Sequence, residues 1–302
     1  MRHEELCVKC GSCRRICEND VAVSRLYDLE RIGDCPVCIH CGQCANACPT
    51  NSITECSEYR EVKKAILNPE KVVIFSTSPS VRVGLGEEFG LTPGAFVEGK
   101  MVASLRLIGA ASGAGVIFGN TGGVMEAAAR SAYFFVTGEN PGEDYLHLLP
   151  VRGMEGVRNA VIDIAGTSVR VAVAHGINNA IRLVEEVVAG KCVYDFIEVM
   201  TCRGSCIGGG GQSKTEVPMV DDIRAARIAA LYQKDDGMSL RFCHDNPDIK
   251  SVYEHYYQKP LSELAERLLH TACHDRSSDL GLKVKLFCRR KIRPFGFAIR
   301  MY

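Results

Sequence analysis

Residues Phe196 to Gln212 read FIEVMTCRGSCIGGGGQ. Phe196, Ile197 and Val199 form an apolar, largely β-branched run that predicts a short strand. The run ends at Cys202, a second thiol follows at Cys206, and four glycines, Gly208 to Gly211, come next. Thiolates are soft ligands that suit iron–sulfur clusters. Glycines beside them let backbone amides approach a bulky inorganic group, because no Cβ intervenes. Two cysteines by themselves also fit a pair of small buried hydrophobes, a reading that the flanking glycines disfavour.

The same chemistry is written at the start of the chain. Cys7, Cys10, Cys13 and Cys17 are spaced C-x2-C-x2-C-x3-C, and Cys38, Cys41, Cys44 and Cys48 repeat that spacing, with Pro49 after the last. This is the two-cluster bacterial ferredoxin pattern, in which the fourth cysteine of each run serves the other cluster. It assigns Cys7, Cys10, Cys13 and Cys48 to one 4Fe-4S cluster, and Cys38, Cys41, Cys44 and Cys17 to the other. Zinc sites use paired cysteines rather than triplets with a trailing fourth. Cys35 extends the second run and leaves open which thiols bind. His40 between ligands reads as solvated, and Cys56 as a packing residue.

Composition bounds the rest. The 302 residues allow one to two domains, and 46% hydrophobic content predicts a globular protein. A formal net charge of zero gives no support to a nucleic-acid or membrane-surface role. No apolar run is long enough for a membrane span. The first residues are charged or cysteine, so no signal peptide is expected. Sixteen clustered cysteines without a secretion signal read as metal ligands in a reducing, cytoplasmic and anaerobic setting.

Along the chain, Glu61 to Asn68 predicts a short helical linker stopped by Pro69, and Lys71 to Phe75 a strand. Val81 to Phe89 reads as helical with Gly90 as its cap. The glycines at 113, 115 and 119 miss the dinucleotide-binding spacing and follow a helix, which disfavours a phosphate site. Thr121 to Thr137 is a helix with Thr121 as a possible cap and Gly138 as the stop. Its Glu126 and Arg130 read as a solvated i,i+4 pair. Ala160 to Ala165 and Val169 to Ala174 predict a hairpin around Gly166-Thr167, after a polar loop over 140–158. Ile177 to Ala189 predicts an amphipathic helix ending at Gly190, with His175 before it as a packed or capping residue. Asp221 to Leu231 is helical, and Pro260 to His270 predicts a helix with Pro at its first position and Leu261, Leu264 and Leu268 on one face.

Glu198, Met200, Cys202, Cys206, Gly209, Gly210, Gly211 and Gln212 resemble the last of three cysteine signatures of the iron-only hydrogenases, with Ser205 where that family usually has Gly. Ser78 to Gly90 (SPSVRVGLGEEFG) resembles the opening of the family's catalytic domain, and Gly99 to Gly109 its following helix. The match then jumps. From about Ser112 the sequence resembles a segment that in the family lies much further along, placing a seam near Ala110 and Ala111. The family's Thr-Ser-Cys-Cys-Pro and Met-Pro-Cys-x-x-Lys loops occur nowhere in the chain.

The resemblance implies an α+β ferredoxin-like domain over 1–58, followed by a truncated α/β iron hydrogenase domain over 59–274. A basic tail of unknown role covers 275–302. That tail admits an extra strand, a membrane-surface arm or a shifted reading frame, and is taken as a poorly specified extension. By resemblance the reaction is reversible proton reduction to H2, with electrons from ferredoxin or a similar carrier. Cys202 and Cys206, the latter in the bridging position, would be two of four ligands of a catalytic 4Fe-4S plus diiron cluster, with Met200 packed beside it. The missing loops remove the other two, so activity is expected to be impaired and any catalytic cluster partial or remodelled. Hydrogenase maturation proteins become partners if that cluster forms. The alternative is an electron-transfer or redox-sensing 4Fe-4S protein without hydrogenase activity.

Overall fold

The computed structural model describes residues 2–21, 38–68, 70, 78–101, 117–154, 156–214, 220–260, 262–269 and 299–301. The strand expected at 71–75, most of the helix expected over 99–109, the seam at 110–111, and Cys35, Cys273 and Cys288 lie outside them.

The two cysteine runs fold alike. Each contains a short helix, α1 (Ser12–Ile16) and α2 (Gln43–Asn46), entered through a glycine in the left-handed region, Gly11 (φ 74°) and Gly42 (φ 72°). The residue before the second cysteine of each run is also left-handed, Lys9 (φ 55°) and His40 (φ 57°). The sequence repeat is thus a repeat of backbone path, because tight wrapping needs these positive φ values at equivalent positions. Residues 2 and 3 pair with 52 and 53: Arg2 bridges Ile53, and His3 N donates to Ser52 O at 2.7 Å. The first run is thereby tied to the end of the second. Cys56 is exposed rather than packed. Helix α3 (Tyr59–Ile66) follows, with no buried residue, as a connecting element.

The larger part is a four-stranded sheet between helices. Strands β1 (Val157–Ile164) and β2 (Thr167–His175) form the expected hairpin, antiparallel with Ile164 opposite Thr167. The reversal passes through Ala165 (φ 53°) and Gly166 (φ 85°). Helix α6 (Ile177–Val188) then crosses to β3 (Phe196–Met200), which lies parallel to β2. A parallel pair needs such a crossover. Residues Ile299–Met301 add β4, parallel to β3. The end of the tail is therefore strand, which corrects its reading as a poorly specified extension.

Among the described residues each sheet face carries one helix. Met125 and Ala129 of α5 (Gly123–Thr137) pack on Ile162, Val171 and Val173. Ala180 and Leu183 of α6 pack on Ala172, Ala174, Ile197 and Val199. Two further helices are α4 (Val81–Gly84), continued by a tighter turn over Leu85–Phe89 to a left-handed Gly90, and α7 (Asp221–Asp236), which runs past its expected end. Val83, Ile207 and Leu231 join α4, the thiol loop and α7 in one apolar cluster.

Several local expectations change. Helix α5 is entered through Gly122 (φ 93°), and no side chain of its own segment caps it. Its orphan N–H groups are met by the Glu198 carboxylate, which accepts from Gly122 N and Met125 N at 2.7 Å each. Glu126 and Arg130 are not solvated. Both are buried, 2.6 Å apart, and Asp235 (2.9 Å from Arg130) and Arg152 (2.7 Å from Glu126) complete a network. Among the described residues the last helices are α8 (Pro247–Val252) and α9 (Glu263–Leu269). Pro260 precedes α9, whose N-terminus is capped by Ser262 Oγ accepting from Ala265 N. Of the expected leucine face Leu268 is exposed and Leu264 half-buried, Leu261 lies outside the described residues, and Ala265 is buried. Among the described residues no helix is long and apolar enough to cross a membrane.

Candidate metal centre

The thiol loop leaves the buried end of β3. Met200 is buried, Cys202 is half-buried in a turn, and Cys206 is exposed on a short helical turn, Ser205–Gly208. Ser205, where the family pattern has Gly, is left-handed at φ 69°, a conformation glycine adopts without strain.

The second cysteine run sits against this loop. Gln43 Nε2 donates to Gly208 O, and Asn46 Nδ2 to Gly209 O, both at 2.7 Å. Lys214 Nζ reaches back to Ala45 O at 2.8 Å. The contact is backbone on backbone: a Cβ on Gly210 would stand 2.4 Å from Gly42 Cα and 2.6 Å from Cys41 O. Glycine is required there for packing, not for chain direction. A second contact joins Asn178 Nδ2 at the start of α6 to Asn19 O.

Cys17, Cys38, Cys41 and Cys44 line one cavity, walled by Ile16, Val21, Ile39 and the Gly42–Gln43 backbone. Burial pushes the thiols of Cys17, Cys41 and Cys44 up, and neighbouring thiols of the same group add to this. Without a cation these groups are neutral thiols. A metal centre supplies the charge that favours the thiolate. His40, exposed, serves through its backbone, whose N–H points at Cys38 Sγ at 3.3 Å. In the first run Cys7 and Cys13 are half-buried and Cys10 exposed, and Cys48 is buried at the end of the second. Among the described residues no three His, Cys, Asp or Glu side chains converge tightly enough for a single metal ion.

Burial also pushes the Cys202 thiol up, opposed by a hydrogen bond from the Gln43 side chain, with Cys41 and Cys206 as its thiol neighbours. The other described cysteines lie elsewhere. Cys192 packs with the α6 cluster and bonds Tyr194 O, Cys243 lies near Arg130 and Asp235, and Cys56 is exposed. The loop itself therefore offers two thiols, which does not fit a cube that takes four protein ligands.

The cysteine and glycine pattern of the loop was legible in the sequence, but the residues that hold the loop were not. Arg227, which donates to Ile207 O of the loop and pairs with Glu87, lies 140 residues from that partner, and Gln43 and Asn46 stand among the cysteines of the second run. Their only sequence signal is polarity inside otherwise apolar or cysteine-rich segments.

Comparison with known proteins accords with this arrangement. Residues 106–210 match the C-terminal domain of the iron-only hydrogenase large subunit, 221–276 the iron hydrogenase small subunit, and 37–54 a 4Fe-4S binding domain. An NADP-reducing hydrogenase subunit of Solidesulfovibrio fructosivorans is 43% identical over 54% of this chain and 27% of that protein. Iron hydrogenase 1 of Clostridium pasteurianum is 38% identical over 54% and 28%. Cytosolic iron-sulfur assembly component 3 of Mus musculus is 30% identical over 52% and 32%. An apo FeFe hydrogenase from Chlamydomonas reinhardtii superposes with TM-score 0.42 at 35% identity, over 62% of this chain and 52% of that one. The chain thus spans about a quarter to a third of the length of these curated relatives. Over residues 106–210 and 221–276 the chain is thus similar to the iron-only hydrogenases.

Proposed function

We propose that this chain is an iron–sulfur electron-transfer protein built on a reduced hydrogenase domain. One observation carries the reading: four cysteines of the repeat line a single cavity, and that cavity abuts the Cys202–Cys206 loop. Cys38, Cys41, Cys44 and Cys17 hold the inner 4Fe-4S cluster. Cys7, Cys10, Cys13 and Cys48 hold the outer one, facing an external carrier such as a ferredoxin. A 4Fe-4S cluster, when bound, supplies one-electron redox chemistry. The chain's own part is to wrap the thiolates, wall the cavity with Ile16, Val21 and Ile39, and press the Cys41–Gln43 backbone against the loop.

A second reading is reversible proton reduction to H2. It is favoured by the retained Glu198, Met200, Cys202, Cys206 constellation next to Cys41. It requires a catalytic cluster that two loop thiols do not fit, and no step is assigned to it.

The test is anaerobic expression together with hydrogenase maturation proteins. Iron analysis and electron paramagnetic resonance after reduction should give about eight iron atoms per chain in two 4Fe-4S centres. The infrared window for metal-bound CO and cyanide should be blank. Bands there would overturn the first reading in favour of the second, and a chain without iron would sink both.

A further inference from the structure

Arg227 lies on α7 with its side chain fully buried. Its Nη1 donates to Ile207 O at 2.7 Å and its Nη2 to Ser213 O at 3.0 Å. Nε and Nη2 also form a two-pronged pair with the fully buried Glu87 carboxylate, 2.7 Å on each side. Ile207 and Ser213 stand on either side of the tetraglycine turn, so one guanidinium spans its base. Four consecutive glycines have more backbone freedom than any other four residues and nothing of their own to fix a path. Arg suits the task because its planar fork presents several donors in fixed directions, which an ammonium group does not. Glu87 balances a charge that could not otherwise be buried.

We propose that Arg227, charge-balanced by Glu87, is a positioning residue for the thiol loop. It fixes the width of the tetraglycine turn from the α7 side, while Gln43 and Asn46 fix it from the ferredoxin side. It thereby sets how Cys202 and Cys206 are presented to an iron–sulfur centre. The identity of that centre rests on the function proposed above; the clamp does not.

The experiment measures alkylation rates of Cys202 and Cys206 by mass spectrometry in the anaerobically purified full chain, relative to Cys192, alongside the melting temperature. Three variants are compared: Arg227→Met, Arg227→Lys, and the pair Glu87→Gln with Arg227→Met. The single Arg227→Met should melt earlier, because the buried Glu87 carboxylate loses its guanidinium partner. The pair should recover most of the melting temperature, because both buried charges are gone. In Arg227→Met and in the pair the two loop thiols should react about tenfold faster than in the parent relative to Cys192, as loss of two hydrogen bonds implies, and in Arg227→Lys, which can keep one of them, about threefold faster. Parent-like thiol rates in a paired variant with restored melting would overturn the proposal and leave Arg227 as no more than the counter-ion of Glu87. If the pair does not fold, Arg227→Lys decides, since it keeps a charge opposite Glu87 but cannot span both carbonyls. Missing cluster signals in the parent would instead fail the functional reading, with the thiol rates still deciding the clamp.

Discussion

Glu198 shows how one residue serves several ends. It sits in β3, is 1% exposed, and holds the start of α5 by two backbone hydrogen bonds. Burial raises its pKa from 4.5 to about 7, against the two N–H groups that lower it. A carboxyl raised in the folded state contributes stability that is complete below the unfolded value and lost as pH climbs through the folded one. The window is therefore pH 4.5 to about 7, and the span corresponds to about 3 kcal/mol. Glu198→Gln should flatten the wild-type fall in unfolding free energy between pH 5.5 and 7.5, at a cost of about 1 kcal/mol for the lost second acceptor. Anaerobic urea titrations of both proteins check this, and equal slopes would refute it. At this scale the repeated cysteine pattern was readable because spacing is a local property. The roles of Glu198, Glu126 and Arg130 were not, because a charged residue's burial depends on partners far along the chain.

Among the elements, the hairpin was legible almost to its ends, since alternation and a glycine turn are short-range signals. Its weak point is also visible. Ala165 occupies the left-handed region at φ 53° beside Gly166, which costs a residue with a Cβ about 1 kcal/mol. Ala165→Gly should therefore raise the melting temperature by about 2 °C, measured by circular dichroism; a fall would show that the turn tolerates alanine without strain. Helix ends were read less well. Thr121 looks like a cap, yet the cap of α5 comes from a strand 76 residues away. Pro260 looks like a first helical residue, yet Ser262 takes the capping place. In both cases a tertiary or neighbouring acceptor outcompetes the local preference.

For the whole molecule, the part that carries the two cysteine runs and the part that carries the sheet meet closely among the described residues, with no Cβ between Gly42 and Gly210. The two parts were foreseen as separate domains, and their docking was not, because a close backbone approach leaves only a glycine in the sequence. Helix α3 buries nothing and carries Arg60, Lys63 and Lys64. Brief trypsin treatment should cut there while both fragments still elute together from a sizing column. Gly210→Ala, whose new methyl meets backbone at 2.4 Å, should make them elute apart. Parent fragments that separate would mean that the docking does not hold without the covalent link. The pairing of residues 2 and 3 with 52 and 53 has a consequence for synthesis. A nascent chain carrying only the first cysteine run has nothing to close upon. Until Ser52 and Ile53 have been translated that backbone pairing cannot form, so the fold of the first run is completed by the second and not by itself.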